Sequence, residues 1–190
     1  MSDKTQKQSL REYFLDLLKI IIISLAIILP IRYFIVQPFV VKGNSMEPNF
    51  SDGDYLIINE IGYRFQNPLR GDIIVFRYPK DLSQYYIKRI IGLPNEKVEI
   101  KNDKVKIYNS KNPEGVDLRE SYLTVSLTSG NLEANLSDNE YFVLGDNRFA
   151  SSDSRVWGIL PRQDIIGKVW LRGWPVARAQ VFRGFNYQLP

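Results

Sequence analysis

Residues 72–109 read DIIVFRYPKDLSQYYIKRIIGLPNEKVEIKNDKVKIYN, and this stretch decides the fold class. Residues 72–79 and 85–93 are β-branched and aromatic runs bounded by turn residues, the pattern of strands. Residues 97–109 alternate on both sides of Asn102 and Asp103, which predicts a hairpin. Working outward, YLIINEI at 55–61 and YFVLG at 141–145 read as further strands, the second ending in the turn-forming Gly145, Asp146 and Asn147. No repeat and no long second helix interrupts them. The expectation is a mainly β domain over residues 37–190, with a polar insertion at about 109–139 read as irregular or weakly structured.

The 190 residues suffice for one anchor and one domain of ordinary size. Cysteine and histidine are both absent. That removes disulfides, thiol nucleophiles, the commonest metal ligands and the commonest general base. Proton transfer near neutral pH must use a carboxylate, an amine or a tyrosine, and no metal or cofactor is expected. The formal charge of +4 is uneven: residues 155–190 carry Arg155, Arg162, Lys168, Arg172, Arg178 and Arg183 against Asp164 alone. Trp157, Trp170 and Trp174 lie in the same stretch. Such a composition suits an anionic membrane surface or nucleic acid, or equally a solvated basic face over a Trp-containing core.

Residues 17–36, LLKIIIISLAIILPIRYFIV, form an apolar run interrupted only near its ends by Lys19, Pro30 and Arg32. At ~1.5 Å per residue a helix of this length crosses a hydrocarbon core of about 30 Å. Lys4, Lys7, Arg11 and Lys19 crowd its N-terminal side, whereas only Lys42 follows within the next twenty residues. By the positive-inside rule, residues 1–16 are a cytoplasmic tail, 17–36 a single transmembrane helix and 37–190 an extracytoplasmic domain. The competing readings are a cleavable signal peptide, disfavoured by the lack of a small-x-small site after the run, and a buried core helix, disfavoured by apolarity on every face.

Ser45 sits in VVKGNSMEPNFSDGDYL (residues 40–56), a constrained turn shortly after the apolar run. A lone serine there is an ordinary turn residue unless a base accompanies it. Lys88 is a candidate base: alternation places it on one face of its strand with Tyr86 and Ile90. Lowering a lysine by about three units requires an environment that disfavours the ammonium by about 4 kcal/mol. Apolar neighbours in a cleft supply that, while an exposed edge lysine would merely discourage aggregation.

Four ordered segments resolve the choice. Gly43-Asn44-Ser45-Met46-Glu47-Pro48, Arg70-Gly71-Asp72-Ile73-Ile74-Val75-Phe76, Tyr86-Ile87-Lys88-Arg89-Ile90-Ile91-Gly92-Leu93-Pro94, and Gly145-Asp146-Asn147-Arg148 through Ser151-Ser152-Asp153-Ser154-Arg155 resemble the boxes of bacterial type I signal peptidases. The resemblance runs from about Leu17 to about Pro175. It implies a signal-peptidase-like β domain with a Ser/Lys dyad, Ser45 as nucleophile and Lys88 as general base. By the same likeness Ser151 orients the lysine, and Arg89, Asp146, Asp153 and Arg155 form structural ion pairs. The backbone N–H of Ser45 serves as one oxyanion donor. Gly43 offers no side chain for the second, and Leu136-Ser137-Asp138-Asn139 replaces a turn that often holds proline and glycine. Substrate pockets fall on Phe39, Val41, Met46, Phe50, Leu56, Val75, Tyr86 and Ile87, each of which also suits ordinary core packing.

The implied activity is a membrane-bound serine endopeptidase that cleaves the signal peptides of exported preproteins after small residues. The implied location is the bacterial cytoplasmic membrane. Partners are then signal peptides and membrane lipids, with no nucleic acid, and the chain acts as a monomer. Two other readings stay open: a self-cleaving Ser/Lys protease, whose known relatives carry a DNA-binding domain in place of an anchor, and a membrane-tethered β domain that only binds.

Overall fold

The structure is a computed structural model and describes residues 10–34, 36–185 and 187, with the side chains of 30–36 outside that description. The chain divides into two compact units, Met1–Val36 and Gln37–Pro190. The first holds helix α1, Leu10–Phe34, whose apolar side chains from Leu10 to Leu29 are largely exposed. Among the described residues no helix is long and apolar enough to cross a membrane. The expected span, 17–36, extends into residues 30–36 and so lies partly outside the described side chains.

The second unit is mainly β. Strands β1 (Val36–Val40), β2 (Tyr55–Asn59), β3 (Ile73–Tyr78), β4 (Asp81–Gly92), β9 (Glu140–Leu144), β10 (Leu160–Pro161) and β11 (Ile165–Trp174) make one sheet in the order β1-β2-β11-β3-β4-β9-β10. The short β12 (Gln180–Val181) pairs with β11 outside that path. β5 (Lys97–Lys101), β6 (Lys104–Asn109), β7 (Asn112–Asp117) and β8 (Leu132–Asn135) form a second sheet in the order β7-β6-β5-β8. Two short helices, α2 (Gly62–Phe65) and α3 (Ser154–Trp157), complete the domain.

The continuous apolar run of β3 follows from burial on both faces. Ile73 and Val75 enter one core with Val41, Met46, Phe50, Leu56, Ile58 and Val169. Ile74 and Phe76 enter another with Ile90, Tyr141, Val143, Trp157, Leu160 and Ile165. Each such side chain contributes about 1.5–3 kcal/mol on leaving water. The predicted hairpin is β5–β6, with Ile100 opposite Val105 and Lys101 opposite Lys104. Asn102 and Asp103 both take positive φ, 51° and 60°, as a two-residue turn of right-handed strand twist requires.

Two expectations need correction. The stretch 109–139 is not an irregular insertion throughout: β7 and β8 flank the hairpin, Val116 pairing with Ile107 and Ala134 with Val98. Its polar appearance reflects a sheet with one exposed face, on which only alternate residues reach the core. Nor is the basic C-terminal stretch simply a surface patch. Arg172 is buried against Asp54 at 3.1 Å, Lys168 pairs with Asp72 at 2.5 Å, and Trp157 lies in the core, while Trp170 and Trp174 are exposed.

Between β7 and β8 the irregular segment 118–131 is tied down in part by a buried ion pair. Glu120 accepts from Arg148 at 2.5 and 2.7 Å, both side chains being almost fully buried, and the Arg148 guanidinium also donates to Thr128. Replacing Glu120 by alanine leaves a buried guanidinium without its counter-charge, so we predict a loss of about 3–5 kcal/mol. Urea denaturation of the Glu120→Ala variant checks this; a midpoint equal to wild type contradicts it.

Candidate active site

The turn over residues 43–50 is held from below and from both sides. Met46 and Phe50 are fully buried, and the Phe50 N–H donates to the Met46 carbonyl at 2.9 Å. These two therefore anchor the turn in the core rather than line an open cleft, as the sequence suggested. Gly43 has φ of +83°, a region costly for a residue with a β-carbon, and its N–H donates to Asp52 Oδ1 at 2.7 Å. The Gly43 N–H is thus already engaged. The Ser45 N–H makes no hydrogen bond among the described residues. Asn147 grips the turn from the loop after β9, its N–H donating to the Ser45 carbonyl at 3.0 Å and its Nδ2 to the Asn44 carbonyl at 3.2 Å.

Lys88 comes to this turn from β4, where it pairs with Ile74 of β3. It is 4% exposed, and its Nζ donates to Ser45 Oγ at 2.7 Å and to the Ile87 carbonyl at 2.8 Å. The amine also lies 5.5 Å from the centre of the Tyr86 ring. Burial pulls its pKa down to about 8, against the carboxylates of Asp153 and Asp146, which act in the opposite direction. An amine that is neutral for a sizeable fraction of the time near that pH, within hydrogen-bond reach of a hydroxyl, can accept its proton.

Both carboxylates are matched by arginines. Arg89 forks onto Asp146, Nε to Oδ1 at 2.8 Å and Nη2 to Oδ2 at 2.6 Å, and both side chains are buried. Arg155 does the same to Asp153 at 2.8 and 2.9 Å, while the Gly145 N–H donates to Asp153 Oδ2 at 3.0 Å. Ser151 does not reach Lys88 as expected; its Oγ is buried and has no hydrogen-bond partner among the described residues. It sits against Gly145, where a β-carbon would collide with Ser151 and with the Ser45 carbonyl. Glycine there is what allows the two loops to touch.

A cleft of about 650 Å³ opens beside Ser45 and Lys88. Of the expected pocket residues, Phe39, Val41, Leu56, Val75, Tyr86 and Ile87 line it. Val40, Lys42, Gln84, Tyr85 and Ser152 line it as well and were not foreseen. β1, which supplies Phe39 and Val40, is too short and too close to the apolar run to announce itself as a strand. Asn49 was also missed: its Nδ2 donates to Asp146 Oδ2 at 2.8 Å and to the Tyr122 carbonyl at 3.1 Å, tying the serine turn to the ion pair. Among the described residues no acidic cluster is placed to hold a metal ion.

Comparison with known proteins gives consistent relatives. Residues 14–174 match the family described as signal peptidase, peptidase S26. The chain is 37% identical over 184 residues to a probable signal peptidase I-1 of Synechocystis, covering 93% of this chain and 90% of that protein. It is 34% identical over 181 residues to signal peptidase IB of Staphylococcus aureus, covering 89% and 92% respectively. A crystal structure of a signal peptidase I from Enterococcus faecalis aligns with a TM-score of 0.47 at 34% identity, over 55% of this chain and 97% of that one. With the family match spanning most of the sequence and the Synechocystis and Staphylococcus proteins aligned nearly end to end, the chain belongs to the signal peptidase family, peptidase S26, as a type I signal peptidase and serine peptidase.

Proposed function

We propose that this chain is a membrane-bound endopeptidase that removes N-terminal signal peptides from exported preproteins, with Ser45 as nucleophile and Lys88 as general base. The observation that carries the reading is the 2.7 Å contact between Ser45 Oγ and a buried Lys88 amine. Neutral Lys88 takes the Ser45 proton as Oγ attacks the scissile carbonyl. The Ser45 N–H stabilises the oxyanion, the C–N bond breaks, and the Lys88 ammonium returns its proton to the leaving amine. Water, deprotonated by Lys88, then attacks the acyl ester and frees Ser45. The Ile87 carbonyl, 2.8 Å from the amine, is the group available to steady the ammonium between these steps.

The shallow cleft lined by Val41, Leu56, Val75 and Ile87 suits small side chains at the first and third positions before the cut. The edge strand β1, and the stretch of β4 before Arg89 that β9 does not pair, offer main-chain pairing beside it to an extended substrate. Residues 1–16 then form a cytoplasmic tail, 17–36 the anchor and 37–190 the catalytic domain on the outer side. The exposed apolar side chains around α1, including Leu17, Ile20, Ile21, Ile22 and Ile23, support burial in lipid. The enzyme acts there as a monomer with lipid and signal peptides as its partners.

Three outcomes are expected. Ser45→Ala abolishes cleavage of a preprotein after a small residue, as does Lys88→Arg, because a guanidinium does not deprotonate at working pH; cleavage surviving in Ser45→Ala sinks the mechanism. In wild type, kcat/KM rises with pH through an apparent pKa of about 8 as Lys88 loses its proton.

The third concerns stability. Lys88 is depressed from 10.5 to about 8, so below about 8 the lysine is protonated in both folded and unfolded chains. The folded state there bears a penalty of about 3 kcal/mol. Between those values the unfolded chain binds the extra proton, so stability rises with pH. Lys88→Met is therefore inactive yet more stable than wild type at pH 7, with the gap closing as pH climbs from about 8 towards 10.5. Denaturation midpoints measured across that window test it; a constant gap contradicts it.

A further inference from the structure

The family match ends at residue 174, yet the chain continues across the back of the site. The Phe182 N–H donates to the Trp170 carbonyl at 2.8 Å, and Phe182 packs on Phe50 beneath the serine turn, ring centres 4.7 Å apart. The Phe185 carbonyl lies over Gly71, where any β-carbon would collide with it. The Gly71 carbonyl in turn accepts from Arg89 Nη1 at 3.1 Å. Phe185 and Tyr187 then close on Tyr122 from the segment between β7 and β8, with edge-to-face rings 5.0 and 6.1 Å away.

Proton direction in this cluster follows from its partners. Tyr122 donates to Glu120 Oε1 at 2.5 Å, so at the 2.6 Å contact between the two hydroxyls Tyr187 is the donor. On its other side the Tyr122 ring covers the Arg89 guanidinium at 3.8 Å from ring centre, a buried cation–π contact. Burial raises the pKa of both tyrosines, which stay neutral donors across the working range.

We propose that Phe182–Phe185 and Tyr187 are a positioning strap for the reaction: the Tyr187 ring, edge-on to Tyr122, clasps it against Arg89, and so holds the Arg89–Asp146 pair beside Lys88 and, through Asn49, the Ser45 turn. Tyr187 touches no reacting group; it acts through Tyr122, Arg89 and Asp146. The inference rests on the Ser45/Lys88 reading for its catalytic consequence, while the clasp itself is a separate claim about Arg89.

The test uses the full chain with Tyr187→Ala and Tyr187→Phe, at a temperature where both are folded by circular dichroism. Solvent exchange of the Arg89 Nε proton, followed by NMR, quickens by about tenfold or more in Tyr187→Ala. Its kcat on a preprotein falls about tenfold with KM within about twofold, as expected when reacting groups lose alignment. Tyr187→Phe, which keeps the ring, recovers most of the loss in kcat. Wild-type kcat in Tyr187→Ala, or unchanged exchange at Arg89, overturns the proposal. An equal loss in Tyr187→Phe overturns the role given to the ring. Ser45→Ala is run in the same assay: activity surviving there overturns the dyad reading, and Arg89 exchange then decides the clasp by itself.

Discussion

A lysine can be a base here only while it is dry, and it must be dry beside two carboxylates. Burial depresses the Lys88 amine, and Asp153 and Asp146 oppose that depression. An unpaired carboxylate nearby would favour the ammonium more strongly and work against the burial effect. Each carboxylate instead accepts a forked arginine, Arg89 on Asp146 and Arg155 on Asp153. The arginines leave the carboxylates free to accept from the backbone and from Asn49, and they mute the field that reaches Lys88. Adjacency in sequence helps: on β4 alternate residues point to opposite faces, so Lys88 turns to Ser45 while Arg89 turns to the ion pair.

The sheet that presents these residues is joined by β11, which lies between β2 and β3. This strand was not legible in the sequence, and the reason is physical. Register shifts between Val169 and Leu171, and again between Arg172 and Trp174, break the two-residue alternation that announces a strand. Its charges mislead further. Arg172 is buried because Asp54 and the Asn49 and Arg178 carbonyls take its donors, so a residue that reads as solvated surface is structural. By contrast β3, β4 and the β5–β6 hairpin were legible, since their apolar runs and turn residues report burial and local geometry with no need of a distant partner.

The candidate site divides along the same line. Missing histidine narrowed the base to a few residue types, and the ordered boxes pointed to Ser45, Lys88 and the two arginine–carboxylate pairs. The cleft residues were readable as apolar positions near the serine, but composition could not tell Val75, which lines the cleft, from Met46 and Phe50, which are sealed beneath it. Ser151 lies against Gly145, which the Ser45 carbonyl also approaches, and its hydroxyl has no hydrogen-bond partner among the described residues. Asn49, Tyr122 and Tyr187 carried no sequence signal at all. Their roles arise from contacts across 97 and 65 positions of chain, which periodicity and spacing cannot express.

Those distant contacts bear on how Ser45 and Lys88 keep their separation. Ser45 and Lys88 belong to separate elements, a turn before β2 and the middle of β4, so their 2.7 Å separation is not fixed by either element alone. The loop after β9 spans the gap: Asn147 holds the Ser45 carbonyl, and Asp146 beside it holds both Arg89 and Asn49. One short loop thus grips the Ser45 turn and the Lys88 strand through neighbouring residues. A displacement of the loop moves both grips together and alters the Ser45–Lys88 distance less than independent supports would. The extra glycine requirement follows, because Gly145 is the point at which that loop crosses the serine turn with no space for a β-carbon.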